Sequence, residues 1–267
     1  MKYKLLLIFL FGITLIGCDR EKIVDKDKLT GFDYRLFQQT PAWEFAKAVQ
    51  DGKREKIKEI VRNDPALINY QEPKYGSTLL MLTIRNDNKK SFKTLLEEGA
   101  DVNIYDTFSG RSALIEAGSF GNVSYAELLL SHGADVNDVE VGDRKPTNST
   151  RDTPLIAAAR SGNCKMVKFL ISKGANINYQ NEYGQSALSV AALTNEFDIV
   201  LYLLQNGADY HRTLFYRQNY SCPAELYDYN DKNPVYFKEF LLEPHHQDDI
   251  VTKYKLKKIL KFLDSNE

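Results

Sequence analysis

Two short phrases recur along this sequence of 267 residues, and both keep the same spacing. The first phrase opens with glycine followed by alanine, at Gly99, Gly133, Gly174 and Gly207, with separations of 34, 41 and 33 residues. The second opens with a hydroxyl residue, at Thr78, Ser112, Thr153 and Ser186, with the same separations. Two phrases that stay in register over four copies indicate stacked structural units of about 33 residues.

The residue types within each unit predict a pair of helices. A hydroxyl side chain at a helix start accepts a hydrogen bond from an unpaired backbone N–H, and Pro154 then occupies the first helical position, where no N–H is needed. Helix-ending residue types follow at Asp87, Gly121, Gly162 and Asn195. The second helix carries apolar residues at i, i+3 and i+4, as at Val167, Leu170 and Ile171, and its glycine forms the C-terminal cap.

These phrases resemble the ankyrin repeat family, as Thr153-Pro154-Leu155 and Gly99-Ala100-Asp101 illustrate. The resemblance implies an all-α fold: an ankyrin-repeat solenoid of helix pairs with β-hairpin tips and a C-terminal helical cap. About five units span residues 40–211, and the first is divergent because Asn63-Asp64-Pro65 replaces Gly-Ala-Asp. The histidine of the family's Thr-Pro-Leu-His phrase is absent from all four copies.

The first residues have the layout of an export signal. Lys2 and Lys4 precede an apolar run from Leu5 to Ile16, which is short for a membrane span. Leu15-Ile16-Gly17-Cys18 resembles a bacterial lipobox, which implies a lipoprotein signal peptide over residues 1–17 and a lipid on Cys18. The alternative is a simple signal peptide cut elsewhere. We expect a membrane-anchored lipoprotein of the bacterial cell envelope, facing the periplasm or the cell surface.

The segments that flank the repeats are predicted from composition. Residues 18–39 are mixed in charge and poor in apolar side chains, so we expect a lipidated cysteine followed by a flexible tether. Residues 212–267 are expected to hold an enlarged loop over residues 212–220, a degenerate repeat and a capping helix. Apolar residues line one side of that last helix and lysines the other, which is typical of a cap or, alternatively, of a membrane-surface helix.

A partner-binding surface is predicted at the hairpin tips. The interval of 41 residues contains an insertion between Asp138 and Arg151, and tyrosines and other large or basic residues recur at the tips. Aromatic side chains dominate binding hot spots, although a ring directly before a tip glycine also serves local packing. The candidate partner-binding residues are Tyr70, Tyr105, Phe108, Arg144, Lys145, Tyr179 and Tyr183.

The composition and the absence of known motifs exclude several classes of function. Lys plus Arg number 35 against 36 Asp plus Glu, so the chain lacks the basic surplus of a nucleic-acid binder. No catalytic, cofactor or metal motif occurs, and His245-His246 with Asp248-Asp249 form a poor ligand set. We therefore expect a monomeric, non-catalytic protein-binding scaffold, with an immunity or inhibitor protein against a secreted toxin as a sharper version. The alternatives are a partner that protects an envelope enzyme, an enzyme with an unrecognised site in the C-terminal region, and an adhesion protein.

Overall fold

In a computed structural model, the chain divides into two compact units, residues 1–98 and 99–267. The residues that the structure describes are 23–120, 122–141, 150–211, 213–217, 233–236, 241 and 250–265. Cys18, Arg144 and Lys145 lie outside these ranges, and so do most of residues 218–249.

The first unit contains two helix pairs. Helices α1 (Trp43–Gln50) and α2 (Arg54–Asn63) form the divergent first pair, and a 3-10 turn at Pro65–Asn69 follows them. Helices α3 (Leu79–Arg85) and α4 (Lys89–Glu97) form the second pair. α1 packs against α3 and α2 against α4, and their facing side chains, such as Phe45, Ile57 and Leu95, are fully buried.

The segment before α1 differs from the predicted tether. From residue 23 onward it packs on the first unit, with a 3-10 turn at Tyr34–Phe37 whose Leu36 and Phe37 are fully buried. The Lys74 ammonium donates to the backbone carbonyls of Lys26, Asp27 and Leu29 at 2.9 to 3.0 Å. The buried Leu36 and Phe37 lie in the 3-10 turn that packs on α1, and together with the Lys74 hydrogen bonds this packing explains why mixed-charge sequence is ordered here.

The second unit contains three helix pairs and a C-terminal helix. The pairs are α5 (Ala113–Phe120) with α6 (Val123–Ser131), α7 (Pro154–Arg160) with α8 (Cys164–Ser172), and α9 (Ala187–Leu193) with α10 (Phe197–Gln205). The first helices of neighbouring pairs pack closely, as expected from their small residues. A Cβ added at Gly118 would lie 2.7 Å from the carbonyl oxygen of Pro154, so α5 and α7 tolerate no larger residue there.

The predicted helix boundaries are confirmed at atomic detail. The hydroxyl oxygens of Thr78, Ser112, Thr153 and Ser186 accept hydrogen bonds from backbone N–H groups three residues on, at 3.2 to 3.4 Å. Asp87 and Asn195 have φ values of 49° and 61°, the left-handed geometry that reverses the chain between paired helices. The five described helix pairs therefore match the repeat units that the sequence predicts.

The C-terminal region combines an expected helix with an unexpected sheet. β1 (Thr213–Arg217) pairs antiparallel with β2 (Asn233–Tyr236), where only a loop was predicted for residues 212–220. Helix α11 (Ile250–Asp264) packs on α10 and caps the last repeat, as predicted. None of the helices in the described part of the chain is long and apolar enough to cross a bilayer.

Candidate functional site

Each hairpin tip is organised by one buried polar side chain. These side chains are 1 to 6% exposed and lie 34, 34 and 41 residues apart, at Glu72, Asp106, Glu140 and Asn181. Each one accepts hydrogen bonds from backbone N–H groups of its own tip. The sequence analysis missed this column, although its last three members each lie seven positions after the glycine of a repeated phrase, at Gly99, Gly133 and Gly174.

The tip of Asp106 shows the short form of the hairpin. Its carboxylate accepts from the backbone N–H groups of Phe108 at 3.0 Å, Ser109 at 2.6 Å and Arg111 at 3.3 Å. The hairpin closes through a β-bridge between Tyr105 and Ser112. The carboxylate thus replaces the missing backbone partners of a tight turn, which keeps the tip rigid.

The tip of Glu140 carries the predicted insertion. One carboxylate oxygen accepts from the Thr150 N–H, the Thr150 hydroxyl and the Asp152 N–H, at 2.9 to 3.1 Å. The other oxygen accepts from Arg111 Nε at 2.7 Å. Burial lowers the pKa of Arg111, but the attraction and hydrogen bond of Glu140, together with the attraction of Glu116 and Asp152, outweigh it, so the net shift is upward. The base of the insertion is therefore closed on both sides of residues 142–149.

Backbone hydrogen bonds join the three tips of the second unit. The N–H of Val141 donates to the carbonyl of Gly110 at 2.8 Å, and the N–H of Glu182 donates to the carbonyl of Thr150 at 3.1 Å. A buried Asp152 carboxylate also accepts from Asn181 at 2.7 Å and pairs with Arg160 at 2.9 Å. The Asp106, Glu140 and Asn181 tips consequently form one continuous edge.

Two of the predicted binding tyrosines form hydrogen bonds within this edge and are not fully exposed to solvent. The Tyr105 hydroxyl donates to Asp138 at 2.6 Å, and the Tyr179 hydroxyl donates to the Arg151 carbonyl at 3.2 Å. Both side chains are half-buried. Burial, followed by the hydrogen bond to Asp138, raises the pKa of Tyr105 to about 12. These two rings tie adjacent tips together through their hydroxyl groups.

Tyr70 belongs to the first unit and also has a local packing role. It is half-buried, and its ring centroid lies 6.2 Å from that of Phe37, a residue of the docked N-terminal segment. The prediction grouped Tyr70 with Tyr105 and Tyr179 because the three occupy equivalent places in their units. Within its own unit, Tyr70 contacts a side chain that the repeat pattern could not place.

The exposed apolar side chains at the tips are different residues. Phe108 is 52% exposed, Val141 44% and Tyr183 58%, and they lie one on each tip of the continuous edge. We call these three residues the tip row. Phe108 and Tyr183 were among the predicted binding residues, and Tyr183 was the one for which local packing offered the simplest explanation. Val141 was missed, since a valine in a polar insertion carries no signal of a binding site.

Metal chemistry has no support at this edge. Among the described residues, no group of three or more His, Cys, Asp and Glu side chains could hold a metal ion. The pair His245-His246 and its neighbouring aspartates lie outside the described residues. What the edge offers is a rigid, largely polar base that displays three apolar side chains.

Stacked helix pairs with hydrogen-bonded hairpin tips define a repeat protein of the binding-scaffold class. The chain belongs to the ankyrin repeat family: the family model described as "Ankyrin repeats (3 copies)" matches residues 45–140 and 139–213. Ankyrin repeats mediate protein–protein interactions, so membership implies a protein-binding scaffold.

Individual relatives share the repeats but are far longer. Neurogenic locus notch homolog protein 1 of Homo sapiens is 35% identical over 144 residues, which is 54% of this chain and 5% of that protein. The Mus musculus protein of the same name matches equally. Ankyrin repeat and KH domain-containing protein mask-1 of Caenorhabditis elegans is 27% identical over 198 residues, covering 64% of this chain and 7% of the relative. The chain thus spans a small part of the length of these relatives.

Proposed function

We propose that this chain is a non-catalytic, monomeric scaffold that binds a protein partner through the tip row. The observation that carries the proposal is the exposure of Phe108, Val141 and Tyr183 on three tips joined by backbone hydrogen bonds. A rigid base lowers the entropy lost on binding, and aromatic side chains supply most of the contact energy at hot spots. Arg144 and Lys145 belong to the insertion between Asp138 and Arg151, and we retain them as candidate partner-binding residues because they would add positive charge to the binding surface.

The proposal includes a location. A lipid on Cys18 anchors the chain in the bacterial cell envelope, on the periplasmic side or the cell surface. The support is the sequence Leu15-Ile16-Gly17-Cys18 after a charged start and a short apolar run. Several acyl chains on one residue give stable attachment, since each buried methylene contributes about 0.8 kcal/mol.

Photo-crosslinking in the native host tests the binding surface. A crosslinking amino acid replaces Phe108 or Tyr183 in turn, and a matched control replaces Phe120, which is 44% exposed but lies at the end of α5. We expect one discrete protein adduct from both tip positions and none from the control. The same adduct from all three positions, or none from the tips, would contradict the proposal.

Affinity measurements then quantify the contribution of the tip row. Phe108→Ser together with Tyr183→Ser should weaken capture of the crosslinked partner by at least about tenfold, or 1.4 kcal/mol. The melting temperature should stay nearly unchanged, because both side chains are exposed. Unchanged affinity would indicate that the partner binds the helices and not the tip row.

The anchor has its own test. Cys18→Ser should abolish incorporation of a radiolabelled fatty acid and block processing, because the lipid is attached to the cysteine sulfur. Undiminished label in the variant would contradict lipid attachment at Cys18. The proposal that the tip row binds a partner would not be affected.

The sharper version of the proposal is an immunity or inhibitor role against a secreted toxin. If a toxin-like protein is encoded by the neighbouring gene, exporting it to the periplasm should kill cells that lack this chain and spare cells that produce it. Cells with the Phe108→Ser, Tyr183→Ser variant should lose protection. Killing that this chain does not alter would exclude the immunity role against that toxin.

A further inference from the structure

Helix α11 has two faces with different surroundings. Leu256, Ile259 and Leu263 are at most 3% exposed and pack toward the repeats, where α11 contacts α10. Lys255 Nζ pairs with Asp198 of α10 at 2.7 Å, which fixes the edge of this contact. The apolar face is therefore occupied within the protein and is not available to a bilayer.

The opposite face is a dense patch of exposed lysines. Lys253, Lys257, Lys258 and Lys261 are all exposed and span an arc of about 140° on the helix. Tyr254 lies among them and is 59% exposed, and Lys258 Nζ lies 4.6 Å from the centroid of its ring. We call these five residues the lysine face. Within the described residues, no salt bridge joins its lysines to an acid.

The lysine face lacks the acids that normally accompany surface lysines. No Asp or Glu occurs from Ile250 to Leu263; the nearest are Asp264, the last residue of the helix, and the pair Asp248-Asp249 before it. Helix α4 provides the contrast. Its exposed Lys89, Lys90 and Lys93 lie within a few residues of Glu97 and Glu98, acids that also pair with Arg54 and Lys58 at 2.8 and 3.6 Å. In a chain of net charge −1, four ammonium groups on one face, none paired with an acid among the described residues, are a concentrated positive field.

We propose that the lysine face of α11 binds the anionic phospholipid headgroups of a bilayer surface. The helix has five lysines and no arginine, and the lysine ammonium is a mobile point charge without the planar fork that selects fixed carboxylates. Such groups suit a fluid anionic surface, where each lysine contributes about 1 kcal/mol. Tyrosine is enriched at membrane–water interfaces, because its ring has an apolar body and a polar tip.

The attachment is peripheral and electrostatic. Since the apolar face of α11 packs on α10, the helix cannot insert, so binding depends on charge and weakens as salt screens it. The proposal does not require a lipid on Cys18. If that anchor is present, it raises the effective concentration of the lysine face at the bilayer, and the two attachments reinforce each other.

Vesicle co-sedimentation of a chain that begins at residue 19 tests the proposal without the anchor. The described packing of the first unit starts at Val24, whose N–H bonds to Gln38, so this chain keeps the folded body complete. We expect binding to vesicles that contain phosphatidylglycerol, release near 1 M salt, where the Debye length is about 3 Å, and little binding to pure phosphatidylcholine. Lys253→Gln, Lys257→Gln and Lys261→Gln together should weaken binding to the anionic vesicles at least about tenfold.

A matched variant distinguishes the effect of the lysine face from the effect of the total charge of the protein. Lys89→Gln, Lys90→Gln and Lys93→Gln on α4 remove the same charge and should leave vesicle binding within about twofold of the parent chain. Arginine at the three α11 positions should retain binding, and melting curves should show that all variants are folded. Equal loss in the α4 and α11 variants, or binding that ignores lipid charge, would overturn the proposal.

Discussion

The hairpins of Asp106 and Glu140 start from the same place in their repeats but close over different lengths. The helix-capping Ser112 follows Asp106 by six positions, whereas Thr153 follows Glu140 by thirteen. In both, the N–H of the acid bonds to the carbonyl of the residue before the cap, Arg111 at 2.9 Å and Asp152 at 3.1 Å. In both, the carboxylate also accepts backbone N–H groups of the tip.

The difference lies in where the N–H groups come from. The shorter Asp106 side chain reaches donors on consecutive residues of a tight turn, whereas the longer Glu140 side chain reaches Thr150 and Asp152, beyond the insertion. The repeat therefore tolerates extra residues, because the hydrogen bonds that close the base of the hairpin do not involve them. An insertion built this way can vary in sequence while the helices on either side keep their packing.

The largest expected effect comes from removing the buried carboxylate. Glu140→Ala leaves two backbone N–H groups and the Arg111 guanidinium without their acceptor, and should lower the free energy of unfolding by about 3 kcal/mol. Asp106→Ala should cost a similar amount, because it also removes three acceptor contacts. Urea denaturation of both variants checks this. A loss below about 1 kcal/mol in Glu140→Ala alone would mean that the two hairpins are not equivalent.

The next effect concerns the contact between the two tips. Gly110 has φ of 69°, and an added Cβ would lie 1.6 Å from the Val141 carbonyl oxygen, so Gly110→Ala must displace the base of the insertion. We expect a loss of about 2 to 3 kcal/mol. Gly133 has φ of 90° with no atom within 4 Å of an added Cβ, so Gly133→Ala should cost only about 1 kcal/mol of strain. Equal losses in the two variants would show that the tips do not touch.

A smaller effect is expected from the tyrosine that bridges the tips. Tyr105→Phe removes the hydrogen bond to Asp138 and should cost about 1 kcal/mol at neutral pH. Because the pKa of Tyr105 is raised to about 12 from 10, the neutral phenol stabilises the fold below pH 10, and this contribution is lost as pH rises to 12. The wild-type free energy of unfolding should therefore fall more over that interval than that of Tyr105→Phe. Parallel curves would contradict the assignment, and Tyr179→Phe provides the matched control.

The smallest effect is expected from shortening the insertion itself. Replacing residues 142–149 with one glycine places Thr153 six positions after Glu140, the spacing of the Asp106 hairpin. The free energy of unfolding should change by less than about 1 kcal/mol, since loop closure depends weakly on length. Thermal melting checks this outcome. A large loss would show that residues of the insertion contribute to the fold rather than only to binding.

Much of the fold was predictable because its signals are local. Thr78 caps a helix through an N–H three residues away, and Asp87 reverses the chain within its own unit, so neither depends on distant sequence. The candidate site was predictable only in outline. Its place at the tips followed from the repeat, but which rings are exposed did not, because exposure depends on distant neighbours such as Asp138, which meets Tyr105.

By itself, the sequence determined the repeat family, the helix boundaries and the position of the insertion, since each rests on interactions within about 34 residues. The tertiary structure alone decided that the segment from residue 23 onward packs on the first unit, because Lys74 meets Leu29 across 45 positions that no short pattern relates. It also decided that Tyr105 is held by Asp138 across 33 positions while Phe108 and Tyr183 remain exposed. The type of a residue indicates only whether it tends to be buried. Whether it is buried depends on which distant part of the chain packs against it.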